Sequence, residues 1–148
     1  MRICGIKLLS LALFVGLAFF CTDLKASGPV DEFAYTEPAA AMSRLDSFLG
    51  YLTDNPTYGG NVIVYGARYG KVGELESHIR QIREYLIDYR KFDSSRLTFQ
   101  NGGYRDKIWI EVWGVPPGAD LQKPSPHLPA KDVKLKGTFR SKTLYKCC

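Results

Sequence analysis

The sequence predicts a single small α/β domain of the α+β kind, with two helices packed on a small sheet in the order β-α-β-α-β-β and a basic, proline-rich C-terminal tail. Two stretches repeat apolar residues at helical spacing: Met42, Leu45, Leu49 and Leu52 in one, and Leu75, Ile79, Ile82 and Leu86 in the other. Between them, Asn61 to Gly66 is a compact β-branched run. After them, Lys107 to Val115 alternates, with Ile108, Ile110 and Val112 facing one way and Trp109, Glu111 and Trp113 the other.

Asp31 to Thr36 reads as a short strand with Phe33 and Tyr35 on one face. Thr36 is placed to cap the helix that follows, and Glu37 and Pro38 suit its first turn, where proline's missing N–H costs nothing. Asp54-Asn55-Pro56 stops this helix and Tyr58-Gly59-Gly60 turns the chain. Continuous apolarity from Asn61 to Gly66 predicts an interior strand covered on both faces. A glycine-rich loop, Gly66 to Gly73, leads into the second helix, where Glu76 and Arg80 stand four apart on the outer face. Arg96 to Gln100 then reads as a strand, Asn101-Gly102-Gly103 as a tight turn, and Lys107 to Val115 as the last strand of the domain.

The two ends differ from this middle. Arg2 and Lys7 introduce the apolar run Leu8 to Phe20, whose 13 residues fall short of the roughly 20 a helix needs to span a bilayer. Ala26 before Ser27 is the small residue a signal peptidase reads. Residues 1–26 are expected to be a cleaved export signal, with an uncleaved anchor or lipidation at Cys21 as alternatives. The folded domain is expected over 27–115 and a linker with a basic tail over 116–148. Signal cleavage leaves no expected transmembrane span, and the protein is expected to be periplasmic or extracellular. The remaining thiols, Cys147 and Cys148, are adjacent, which disfavours a mutual bridge. They are open to an intermolecular disulfide, to metal capture, or to no role at all.

The formal net charge of +5 belongs to the tail. From Val115 onward seven basic residues stand against two acidic ones, whereas residues 27–113 carry ten basic and twelve acidic. Nucleic acid is therefore not expected as a partner, because such domains carry a basic stripe on the folded surface. A basic tail outside the cytoplasm suits anionic headgroups or wall polymers. Pro116, Pro117, Pro124, Pro126 and Pro129 mark its start as an extended linker, and Lys131 to Tyr145 has room for one strand.

Three stretches resemble the C-terminal, peptidoglycan-associating domain of the OmpA-like family. They are the strand ending in Gly66, the helix ending Ile82-Arg83-Glu84-Tyr85-Leu86, and Phe92-Asp93-Ser94-Ser95-Arg96-Leu97 leading to Gly102-Gly103. The likeness covers roughly Asp31 to Val115 and implies the β-α-β-α-β sheet already read from the pattern. It also implies a partner: peptidoglycan, another anionic envelope polymer, or an envelope protein. In that family an Asp just after the strand and an Arg on the next helix hold the charged ends of diaminopimelate. Here Tyr69 stands in the Asp position and His78 in the Arg position, with Arg80 two residues on. An ammonium-carboxylate ligand needs an opposite charge at each end. The resemblance thus implies an inherited fold whose ligand is lost or changed.

Candidate binding residues are Arg68, Tyr69, Lys71, His78, Arg80 and Arg83, a cationic surface around the loop and the N-terminus of the second helix, whose free amides also favour anions. The competing reading is a solvated helix face, with Arg80 and Arg83 paired to Glu76 and Glu84. Tyr65, Tyr104, Trp109 and Trp113 offer either a stacking face or sheet packing beneath a helix or the tail. No catalytic residue is legible. His78 and His127 are the only histidines, and no Ser or Cys lies in a nucleophile context. The spacing of Gly66, Gly70 and Gly73 lacks the Gly-Lys-Ser/Thr ending of a phosphate loop. No cofactor or metal is expected. The leading expectation is an exported, non-catalytic envelope protein. The alternative is a small secreted hydrolase using His78, which requires a deep pocket beside the glycine-rich loop with His78 facing a carboxylate.

Overall fold

The computed structural model describes residues 28–140. The expected signal segment and the cysteines Cys147 and Cys148 lie outside the described residues. The chain runs β1 (Asp31–Ala34), α1 (Pro38–Asp54), β2 (Gly59–Ala67), β3 (Tyr69–Val72), α2 (Glu74–Arg83), β4 (Leu97–Arg105), β5 (Trp109–Val115) and β6 (Lys134–Thr138). Four strands form a mixed sheet in the order β1-β5-β2-β4. β2 and β4 are parallel, and β5 is antiparallel to both of its neighbours. β3 and β6 form a separate parallel pair. The α+β class is the one the periodicity predicts.

One face of the sheet carries the main core. Val62, Val64, Leu97, Ile110 and Val112 meet α1 through Leu45, Phe48 and Leu52, and α2 and its continuation through Leu75, Ile82 and Leu86. The α1 stripe is centred on Ala41, Leu45, Phe48 and Leu52, while Met42 and Leu49 flank it half-buried. β2 has no solvent face, because Asn61, Ile63 and Tyr65 on its other side are also buried. That is the outcome a continuous apolar run predicts. Arg96 closes the far end of α1 by donating to the carbonyls of Leu52, Asn55 and Tyr58, where that helix's last turn has no basic residue of its own.

Local structure departs from the sequence reading at several points. Thr36 does not cap α1; Glu37 holds the extended N-cap position and makes no side-chain cap bond. The second helix does not continue as one α-helix through Leu86. It widens after Arg83 into a π-helical segment, Glu84–Tyr89, with the Arg90 N–H reaching the Tyr85 carbonyl. The wider turn brings Tyr85 and Leu86 into the core together, and the Tyr85 hydroxyl donates to Asp46 of α1 at 2.9 Å. Asn101-Gly102-Gly103 is a bulge inside β4, not a turn. The register against β2 shifts between Val64 and Gly66, Gly103 sits at φ +79°, and its N–H donates to the Asn101 side chain at 2.9 Å. The reversal itself falls between β4 and β5, over residues 106–108.

The largest departure concerns the expected linker. Residues after Val115 do not lead away from the domain. A turn at Pro116–Ala119, with Gly118 at φ +78° and the Ala119 N–H bonded to the Pro116 carbonyl, returns the chain across the sheet's second face. We call residues 119–129 the strap. Beyond it β6 joins β3, so the stretch expected to be a free glycine-rich loop, Gly66 to Gly73, contains a strand.

Candidate functional site

The β3–β6 pair is a flap on the end of β2. The Lys134 N–H donates to the Arg68 carbonyl at 2.8 Å, and the Phe139 N–H to the Val72 carbonyl at 3.0 Å. Tyr69 lies beside Lys134 and Gly70 beside Leu135. Every residue of β6 is exposed, as are Tyr69 at 67% and Val72 at 54%. Tail and domain charge, separate along the sequence, are thus adjacent in space: Lys134 and Lys136 join Arg68, Tyr69 and Lys71 on one ribbon. Arg68 is partly offset by Asp106 at 2.9 Å.

The six predicted residues do not converge on one cavity. Of them only Lys71 lines the shallow recess beneath the flap, about 20 Å³ between Gly66, Gly73, Tyr104 and Leu135, room for a single water. Arg80 is exposed and lies 3.9 Å from Glu84, not paired with Glu76 as expected, and Arg83 is exposed beside it. The N-terminus of α2 is not a free anion site either. Glu74 folds back there to accept from the Lys71 N–H at 2.9 Å, supplying the negative charge from the chain itself.

His78 faces inward. It is 4% exposed, between the rings of Tyr35 at 4.6 Å and Phe139 at 5.4 Å, and its Nδ1 has no partner among the described residues. Burial pushes its pKa below the ordinary 6.5, with Glu74 opposing more weakly. The imidazole is packed neutral and does not line the recess. This removes the geometric basis for His78 as a general base. The depressed pKa also sets a sign: the unfolded chain takes up a proton the folded one refuses. Stability is then full above pH ~6.5 and falls as the pH drops toward the folded value, by at most about 1.4 kcal/mol per pH unit. Urea midpoints at pH 5 and pH 7.5 should differ accordingly, and His78→Phe should flatten the difference.

The second face of the sheet was only partly legible. Tyr65, Ile63 and Trp113 are buried there with Trp109 packed against them, which decides for packing beneath the tail. At the centre sits an ion pair that sequence reasoning missed. Arg105 and Glu111, with side chains 11% and 8% exposed, meet at 2.5 Å. The other Glu111 oxygen accepts from the Tyr65 hydroxyl at 3.0 Å and from Trp113 Nε1 at 3.3 Å. The Arg105 guanidinium lies 3.7 Å from the Tyr65 ring centroid. Burial, above all, raises the Tyr65 pKa, so the phenol stays a donor to Glu111. The available signal was a lone acid between two tryptophans on a strand whose both faces are covered.

Fold and surfaces together define an α+β protein with a strap-covered sheet face and a cationic flap. No helix among the described residues is long and apolar enough to cross a membrane, and none of their His, Cys, Asp and Glu side chains cluster in threes to hold a metal. No family model, curated protein or solved structure matches the chain.

Proposed function

We propose that this is an exported, non-catalytic envelope protein that associates with peptidoglycan or another anionic wall polymer through the β3–β6 flap. The observation that carries the reading is the pairing of β6 with β3, which sets Lys134 and Lys136 beside Arg68, Tyr69 and Lys71 on an exposed ribbon. Alternate residues along a strand are about 6.6–6.8 Å apart. Lys134 and Lys136 thus put two separate point charges on the ribbon, with Arg68 and Lys71 on or beside the paired strand, and separate charges suit a polymer of repeating carboxylates or phosphates better than one bidentate ligand. The exposed Tyr69 adds an aromatic face for a sugar ring. Export is supported by the signal-like residues 1–26, and the wall as partner by the OmpA-like stretches and the β-α-β-α-β sheet they imply. Tyr69 in the position of the family's Asp fits a ligand held by charge density in place of the ammonium-carboxylate clamp.

Exposed charge pairs are individually weak and screened by salt. The mature chain should co-sediment with purified peptidoglycan at about 50 mM salt and be largely released at about 0.5 M, where the Debye length shrinks below the spacing of the charges. A chain that stays in the supernatant at low salt would count against the reading.

A further inference from the structure

The sheet face under the strap is organised to read an extended peptide, and wall association makes no use of it. Three points of the strap are held, each through backbone atoms. The Gln122 carbonyl accepts from Asn61 Nδ2 at 3.4 Å and from Gln100 Nε2 at 3.2 Å. The Ser125 N–H donates to the Tyr65 hydroxyl at 3.1 Å, and its carbonyl accepts from Arg105 at 3.2 Å. The His127 and Leu128 N–H groups both reach the Tyr104 carbonyl at 3.1 Å. The groups doing the reading are themselves fixed: Glu111 holds Arg105 and Tyr65, and Gln100 also donates to Asn61 at 3.0 Å. Two further buried donors on this face, Arg105 Nε and Trp109 Nε1, have no acceptor among the described residues.

We propose that this face is a receptor for an extended, proline-rich segment of the Pro-Ser-Pro type, occupied in cis by the chain's own strap and open to the same kind of segment from a partner protein. Backbone contacts do not depend on the strap's side chains. Proline supplies the remaining requirement, an extended shape with little entropy left to lose. Pro129, at φ −67° and ψ 146°, already has polyproline geometry. Pro126 packs on the backbone at Gly103, where a side chain would come within 3.0 Å of it. The two unused donors leave an incoming segment bonds that the strap does not make. A tethered strap competes at an effective concentration on the order of millimolar, so a partner segment wins only when the strap is weakened or the partner is itself concentrated.

The test uses the full mature chain and, as probe, a synthetic peptide of residues 121–129. Two variants weaken the strap by different routes. One carries Pro124→Gly and Pro126→Gly. The other has ten Gly/Ser residues inserted between Pro117 and Gly118, which lengthens the tether and leaves both strap and face unchanged. The indole N–H resonances of Trp109 and Trp113 should shift saturably, with affinity at least tenfold tighter in the glycine variant than in the wild type and about fourfold tighter in the insertion variant, as the fall of effective concentration with tether length sets. A peptide with both inner prolines replaced by glycine should bind at least tenfold more weakly. If neither folded variant shows a saturable shift at millimolar peptide, or if the glycine peptide binds as well as the proline one, the proposal is overturned.

Discussion

Glu111→Ala is expected to cost about 3–5 kcal/mol of folding stability, because it strands a guanidinium inside the protein. Arg105 would keep its burial and its stack on the Tyr65 ring but lose the carboxylate it pairs with. The Tyr65 hydroxyl and Trp113 Nε1 would lose the same acceptor. Urea unfolding of the variant should show this as a fall in midpoint, with an accompanying change in tryptophan emission, since both tryptophans lie on this face. The pair is not thereby a net source of stability. Desolvating two charges offsets much of their attraction, so Arg105→Met combined with Glu111→Leu should recover most of the loss. A double variant as unstable as the single one would mean that the hydrogen bonds to Tyr65, Trp113 and Ser125, and not the stranded charge, set the cost.

Gly102→Ala is expected to cost about 1–3 kcal/mol through overpacking. A Cβ there would stand 2.5–2.8 Å from three carbons of the Tyr65 ring. That ring has little room to yield, since its hydroxyl is held by Glu111 and Ser125 and the Arg105 guanidinium lies over its face. Only the neighbouring Gly103 is in left-handed backbone, so the penalty at Gly102 is one of packing alone. Thermal unfolding should register the loss. Hydrogen exchange at the Ser125 amide should also quicken, because the ring can move only by loosening the strap.

The parts of the fold written in local periodicity were legible. The Leu45–Leu52 spacing and the unbroken run from Asn61 to Gly66 placed α1 and the central strand, because a core-facing stripe and a doubly buried strand each leave a pattern within a few residues. What pairing across long separations decides was not legible. The room for a strand between Lys131 and Tyr145 is taken by β6, but its partner was hidden: Tyr69-Gly70-Lys71-Val72 is short, polar and glycine-bearing, and becomes a strand only by pairing more than sixty residues away. Asn101-Gly102-Gly103 has the composition of a turn, and a bulge satisfies the same backbone freedom within a continuing strand. The strap's prolines were read as extended, as they are, but nothing local says that Tyr65 and Arg105 wait to receive Ser125. At the candidate site, Arg68, Tyr69 and Lys71 do come together. His78 does not join them, and its burial could have been anticipated: it falls three residues after Leu75 and four before Ile82, on the helix's buried stripe.

The proposed wall binding requires the charges of β6 to act from the folded flap. The most direct measurement is the affinity of a chain of residues 27–148 for purified peptidoglycan at about 50 mM salt, compared with the same chain carrying Lys134→Glu and Lys136→Glu. Both side chains are exposed, so circular dichroism and thermal midpoint should be unchanged. If the flap carries wall binding, the reversed chain binds at least tenfold more weakly, a loss of about 1.4 kcal/mol or more. Equal binding by the two chains would contradict it.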